Sequence, residues 1–270
     1  MSDQPLISVV TPSFNQAAYL RAALDSVLSQ HYPQREYLVY DGGSTDGSQQ
    51  LLADYAARLD YLQCAPDGGQ SAALAAGFAR ARGDILGWLN ADDRLLPGTL
   101  QRVAAAFARD PRLVFVYGDV RTIDRSGAPI GLLHAVPAQP WLTANSGLHG
   151  WPQPGSFWRR SAYELVGGLD AGLQFSMDRD LFLRLARVGR VRRLYGPPLA
   201  EFRLHDEAKS SRLPATAARE HILLVARYGD PRLARRRRLF RVLWRCWYGI
   251  ERLRRRSLEA LCSSRASVSA

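Results

Sequence analysis

The chain has 270 residues, 47% apolar and 23% charged, so it can bury a full core as one large domain or as one domain with an appendage. Its net charge of +11 is uneven: from residue 219 onward fourteen Arg face four acidic residues, so +10 belongs to the C-terminal segment, and the near-neutral body carries no nucleic-acid-binding motif. Cys64, Cys246 and Cys262 lack metal-ligand spacing and exclude a disulfide framework, no run of about 18 apolar residues could cross a membrane, and the first residues lack a signal-peptide pattern, which together fit a reducing cytosol.

Residues 6–11 (Leu-Ile-Ser-Val-Val-Thr) predict a buried strand ended by Pro12-Ser13-Phe14-Asn15. Helical periodicity over 17–30 puts Ala18, Leu20, Ala23, Leu24, Val27 and Leu28 on one side. A strand at 36–40 is followed by a helix at 47–57, capped by Ser44, Thr45 or Asp46. Then come strand 60–64, helix 70–81, strand 84–89, helix 97–109 with Pro97 in its first turn, and strand 113–118. This alternation predicts an α/β fold with a largely parallel sheet covered by helices. After 120 the pattern loosens. Residues 134–156, rich in Pro, Gly and Trp, read as a long loop over the crevice. Helices at 160–167 and 177–188 and short strands at 191–195 and 199–204 follow. The expected division is a catalytic domain at 1–214, a basic amphipathic helical extension at 215–262 and a disordered tail at 263–270.

Two apolar runs stop at carboxylates, and in an open α/β sheet the carboxyl ends of the strands form the ligand crevice. Asp41 ends the first run and precedes Gly42-Gly43, where a ligand can approach the backbone closely. A turn followed by a helix cap would use the same residues. Asn90-Ala91-Asp92-Asp93 ends the second run. Adjacent carboxylates there suit Mg2+ or Mn2+ shared with a substrate phosphate, or else a turn before Pro97. Asp178 and Asp180 open a helix and diverge by about 200°, so one can face the crevice while the other caps or pairs with Arg184. His205 is either structural or a metal ligand beside a polar segment, Lys209-Ser210-Ser211, able to meet phosphates.

Over residues 5–212 the chain resembles family-2 glycosyltransferases of the GT-A fold. The pieces that carry the resemblance are Ile-Ser-Val-Val-Thr-Pro-Ser-Phe-Asn at 7–15, Asp-Gly-Gly-Ser-Thr-Asp-Gly-Ser at 41–48 and Gly-Trp-Leu-Asn-Ala-Asp-Asp at 87–93. Gln-Pro-Gly-Ser-Phe-Trp-Arg-Arg at 153–160, Gly-Gly-Leu-Asp at 167–170 and Met-Asp-Arg-Asp-Leu-Phe-Leu-Arg-Leu at 177–185 follow in order. The resemblance implies a Rossmann-like mixed sheet and a metal-dependent hexosyltransferase. It implies Thr11, Pro12, Ser13, Asn15, Asp41, Asp67, Gln70 and Asp92 at the nucleotide sugar, with Asp41 on the base. It implies Asp92, Asp93 and His205 at a divalent Mg2+ or Mn2+, and Asp178 as catalytic base.

The chain departs from the family pattern in three places. Asn90 stands where many relatives have Asp, Met177 where many have Glu, and Ala-Leu-Ala-Ala-Gly at 73–77 lacks the usual Arg-Asn. The expected activity is inverting transfer from a nucleotide-diphosphate sugar to a hydroxyl acceptor such as a lipid-linked glycan, in cell-surface polysaccharide or glycolipid assembly. A catalytically inactive binding module and a metal-dependent nucleotidyltransferase are the alternatives. The second needs a basic, Gly-rich phosphate loop near the first strand, which Thr11-Pro12-Ser13-Phe14-Asn15 is not.

In the tail, Leu239, Val242, Leu243, Cys246, Ile250, Leu253 and Leu261 share one helical face, opposite Arg238, Arg241, Arg245, Arg252 and Arg256, with Phe240, Trp244 and Trp247 on a flank. This pattern suits a helix lying in an anionic membrane interface, which would place a cytoplasmic enzyme peripherally on the inner face of the cell membrane. It suits equally a helix packed on the catalytic domain.

Overall fold

The computed structural model describes residues 4–206 and 213–266, with side chains as far as Arg254. Its centre is β1 (Ile7–Ser13), buried at every position as expected of a strand covered on both faces. β2 (Arg35–Asp41) and β4 (Ile85–Trp88) flank it in parallel, and β3 (Tyr61–Cys64) extends the sheet beyond β2. The other half holds β6 (Leu113–Gly118), β9 (Ser156–Arg159) and β10 (Arg190–Leu194), giving the order β10-β6-β9-β4-β1-β2-β3. β9 runs antiparallel to both β4 and β6, so the seven-stranded sheet is mixed. Pairing of β1 with β4 ends at Val10, so Pro12 sits where only one neighbour needs main-chain partners.

Helices α1 (Ala17–Leu28), α2 (Ser48–Tyr55) and α3 (Gln70–Arg80) follow β1, β2 and β3, and α4 (Thr99–Arg109) comes after β4, much as periodicity predicts. α3 lies tight on β1 because Gly77 faces the Val10 side chain, where any Cβ would collide. A second sheet, in the order β5-β11-β7-β8, holds β5 (Arg94–Leu95), β11 (Ala200–Arg203), β7 (Val120–Ile123) and β8 (Pro129–Leu133). It carries the later segment back beside the end of β4.

The 134–156 segment is not one long loop. Pro140 opens helix α5 (Pro140–Ser146), since its fixed φ suits a first helical position, and residue 156 already belongs to β9. Helices α6 (Arg160–Leu165) and α7 (Met177–Leu185) follow.

Helix α8 (Pro214–Tyr228) packs against the α/β body. Arg227 donates to Asp170 and Asp180, and Tyr228 Oη donates to Asp180 at 2.5 Å. α9 (Arg237–Ala266) crosses α5, with Phe240 edge-on to Trp141 at 5.2 Å and Phe240 and Trp244 both buried. Burial on that scale contributes about 1.5–3 kcal/mol for Phe240. The aromatic flank of the predicted wheel therefore packs inward. Leu239, Val242, Leu243, Ile250 and Leu253 stay 45–64% exposed. Side chains of Arg256 and Leu261, and residues 207–212 with Lys209, Ser210 and Ser211, lie outside those described.

Candidate active site

The crevice floor is a self-bonded pair of loops after β1 and β2. Asp41 is buried; its Oδ2 accepts from Ser44 N at 2.8 Å and Gly43 N at 3.2 Å, and its Oδ1 from Ser44 Oγ at 2.6 Å. Ser44 Oγ in turn accepts from Asn15 N, and Asn15 Oδ1 accepts from Thr45 N. Asn15 reaches this position at φ +52°, a left-handed conformation that Asn tolerates better than most residues. Asp46 joins the first turns of α1 and α2, accepting from Ala17 N and Ser48 N. Burial would raise its pKa, but the hydrogen bonds from Ser48 and Ala17 hold it below the usual carboxylate value. Gly42 lets Asp67 approach, since a Cβ there would stand 3.1 Å from Asp67 Oδ1. Thr11 Oγ1 is committed to Tyr37 Oη at 3.1 Å. Ser13 Oγ is buried at the crevice end of β1 without a hydrogen-bond partner among the described residues.

Asn90 is the hub after β4. Its Oδ1 accepts from Trp88 Nε1 and Gln70 Nε2, each at 2.7 Å. Its Nδ2 donates to Asp93 Oδ2 at 3.1 Å and Gln153 Oε1 at 3.3 Å. An Asp at this position could not donate, so the departure from the family pattern matches the wiring of this loop. The sequence groups Asp93 with the metal ligands; the structure turns it inward at 0% exposure, where Arg203 N takes Oδ1 at 3.0 Å. Burial, and then the Asp92 carboxylate, push its pKa well up.

A raised carboxylate pKa stabilises the fold below the unfolded value of about 3.9 and loses that contribution as pH rises through the folded value. Asp93→Asn cannot titrate, so its stability relative to wild type should improve as pH rises from about 4 to 7. Urea unfolding across that range measures the difference, and a flat profile would exclude a buried neutral acid.

Arg203 and His205 fall on one side of an extended segment, as period 2 requires. Arg203 Nε donates to the Asp92 carbonyl at 3.0 Å, its guanidinium lies 4.8 Å over the Tyr19 ring, and its Nη1 holds the carbonyls of Asp124 and Arg125. The His205 ring packs on Tyr19 and brings Nε2 to 3.0 Å from Asp92 Oδ2. Asp92 and His205 thus meet, while Asp93 faces away. Among the described residues no set of three His, Cys, Asp or Glu side chains forms a metal cage.

α7 supplies the far wall. Asp178 is half-buried in its first turn, with Oδ1 accepting from Arg179 N at 2.7 Å. Asp180 points the other way at 0% exposure and accepts from Arg184 Nε at 2.9 Å. Removing so buried a partner from a charge cluster typically costs about 3–5 kcal/mol, so Asp180 is structural. Adjacent residues of α3 tie the two sides together, Gln70 to Asn90 and Ser71 Oγ to the Leu173 carbonyl at 2.5 Å. His149 lies near Asp178. Burial lowers its pKa, against an upward pull from Asp178.

A cavity of about 590 Å3 lies elsewhere, at the β10 edge; Arg102, Arg109, Arg192 and Arg193 line it, and its lining includes no carboxylate and no predicted site residue. The crevice above therefore remains the site. Sequence reading overlooked Asn90 as hub, Gln153, His149 and Glu220. Asn90 and Gln153 lie within motifs that carry the family resemblance, but His149 and Glu220 carry no local signal.

A mixed α/β sheet with carboxylates at the carboxyl ends of its parallel strands is the GT-A glycosyltransferase architecture. A sequence profile of Glycosyl transferase family 2 matches residues 8–153, and the chain belongs to that family. It is 32% identical over 217 residues to the O-antigen biosynthesis protein RfbC of Myxococcus xanthus, covering 78% of this chain but only 17% of RfbC. S. aureus TarS 1–349, solved with UDP-GlcNAc, shares the fold at TM-score 0.64 and 16% identity over 82% of this chain and 65% of that one. The mannosyltransferase PcManGT of Pyrobaculum calidifontis, solved with GDP-Man and Mn2+, gives 0.61 and 18% over 84% of this chain and 66% of that one.

Proposed function

We propose that the protein is an inverting glycosyltransferase acting on a nucleotide-diphosphate sugar. The observation that carries this is the pairing of Asp92 with His205 at the end of β4, with Asp178 on the helix tied to the same wall through Gln70 and Ser71. Asp178 takes the proton of an acceptor hydroxyl as its oxygen attacks the anomeric carbon. The new carbon–oxygen bond forms opposite the breaking one, whose electron pair leaves with the nucleoside diphosphate, and the centre inverts. The loops of Ser13, Asn15, Asp41 and Asp67 orient the nucleotide.

One carboxylate oxygen beside one imidazole nitrogen is a donor set that fits a divalent ion used together with a diphosphate. Asp92 and His205 would hold it, and bound Mg2+ or Mn2+ would supply positive charge against the charge growing on the diphosphate. The ligands of TarS and PcManGT support a nucleoside-diphosphate sugar as donor. The name of RfbC supports cell-surface polysaccharide as the setting. A panel of nucleotide sugars, assayed for nucleoside diphosphate release and for the anomeric configuration of the product, tests the reading. Pyrophosphate release instead would mark a nucleotidyltransferase.

The exposed apolar stripe of α9, on a helix that also carries Arg238, Arg245 and Arg252, supports docking on an anionic membrane. No helix among the described residues is long and apolar enough to cross one. The full chain should co-sediment with anionic vesicles at low salt, and a chain ending near residue 230 should not. Equal sedimentation of both, or of neither, would overturn the docking.

A further inference from the structure

We propose that Glu220 is a positioning residue for the reaction: from α8 its carboxylate holds the turn that presents Asp178. The proposal rests on Asp178 being the base. Glu220 is only 3% exposed, although it belongs to the segment with the highest positive charge in the chain. Its Oε1 accepts from Gln174 N at 2.7 Å, and its Oε2 accepts from Phe175 N at 2.9 Å and Ser176 N at 2.7 Å. These are the last three amides before α7. Ser176, at the N-cap of α7, makes no side-chain cap bond of its own. Backbone donors around a helix start need partners, an ionised acceptor binds them more strongly than a neutral one, and negative charge is favoured at that end.

The same turn is gripped from the opposite side, where Ser71 Oγ donates to the Leu173 carbonyl. Residues 173–176 are thus fixed between α3 and α8, and Asp178 follows two positions later. No flexible residue separates the grip from the base, so a shift in the turn becomes a shift of the carboxylate. Misplacement by about 1 Å can cost on the order of 10²-fold in rate. α8 has separate anchors on α7: Arg227 and Tyr228 reach Asp180, and His221 Nδ1 lies 3.1 Å from Arg179 Nη1. Loss of the Glu220 carboxylate therefore leaves α8 docked.

The test compares Glu220→Ala, Glu220→Gln and Asp178→Asn with wild type in the full chain. Amide hydrogen exchange at 174–180 is followed, with kcat and KM for whichever nucleotide sugar of the panel wild type hydrolyses fastest. In Glu220→Ala, exchange at 174–180 should accelerate at least about tenfold and kcat should fall about 10- to 100-fold, with KM for the donor within about twofold. Glu220→Gln keeps the volume and one acceptor oxygen and should lie between. Should Glu220→Ala not fold, Glu220→Gln decides by the same readings. Unchanged exchange at 174–180, or a kcat within about twofold of wild type, would overturn the positioning role. An inactive Asp178→Asn beside a fully active Glu220→Ala would remove the brace and leave the base standing. An active Asp178→Asn would remove the base itself.

Discussion

Asp178→Asn is expected to lower sugar transfer at least about a hundredfold while donor affinity stays within about twofold, because a positioned general base contributes about 10²–10⁴-fold. The substitution isolates chemistry from structure. Asn keeps the shape and the oxygen that accepts from Arg179 N, so the first turn of α7 is retained. Asp180, which carries the ionic cluster with Arg184, Arg227 and Tyr228, is untouched. What disappears is an atom able to take the acceptor's proton. Donor affinity, read by calorimetry with the nucleoside diphosphate, reports on the loops of Asp41 and Asp67 and should not follow the loss of turnover. A variant keeping more than about a tenth of wild-type turnover rules Asp178 out as base.

Asp92→Ala is the second large effect. Wild-type activity should vanish in excess chelator and return with Mg2+ or Mn2+, and the Asp92→Ala protein should lose that response together with at least about a hundredfold in rate. Stabilising leaving-group charge is worth several kcal/mol, and each 1.36 kcal/mol is about tenfold. Thermal unfolding supplies a reading independent of turnover. A bound ion at about 100 times its Kd adds roughly 2.7 kcal/mol to wild type, and the variant, left with His205 alone, should gain much less. Full wild-type activity in chelator would end the metal reading.

Legibility in the sequence followed the range of the interactions. Strands β1 to β4 and helices α1 to α4 declare themselves in windows of ten or so residues, because each buries a face at its own period. Their alternation implies parallel strands, and parallel strands put Asp41 and Asp92 at one edge. β9 is four residues long and buried on both faces, too short for a period to register, yet it converts the sheet from parallel to mixed. The tail shows the same limit. Its wheel was readable, but which side faces the body depends on Trp141 and Ser146, about a hundred residues earlier in the chain.

The family, the first half of the sheet and the carboxylates after its strands are legible in the sequence, since these follow from local period and motif order. Where each of those carboxylates points is set by contacts far apart in sequence. Asp92 turns to His205 and Asp93 to the core because β11, 110 residues further on, offers the Arg203 amide to one of them. Asp180 is buried with its acceptors filled by Arg184, Arg227 and Tyr228, while Asp178 in the same first turn stays half-buried. Glu220 found its partners 44 to 46 residues back. Hydrogen bonds across such separations leave no periodic trace, because nothing in the neighbouring residues has to change to make them.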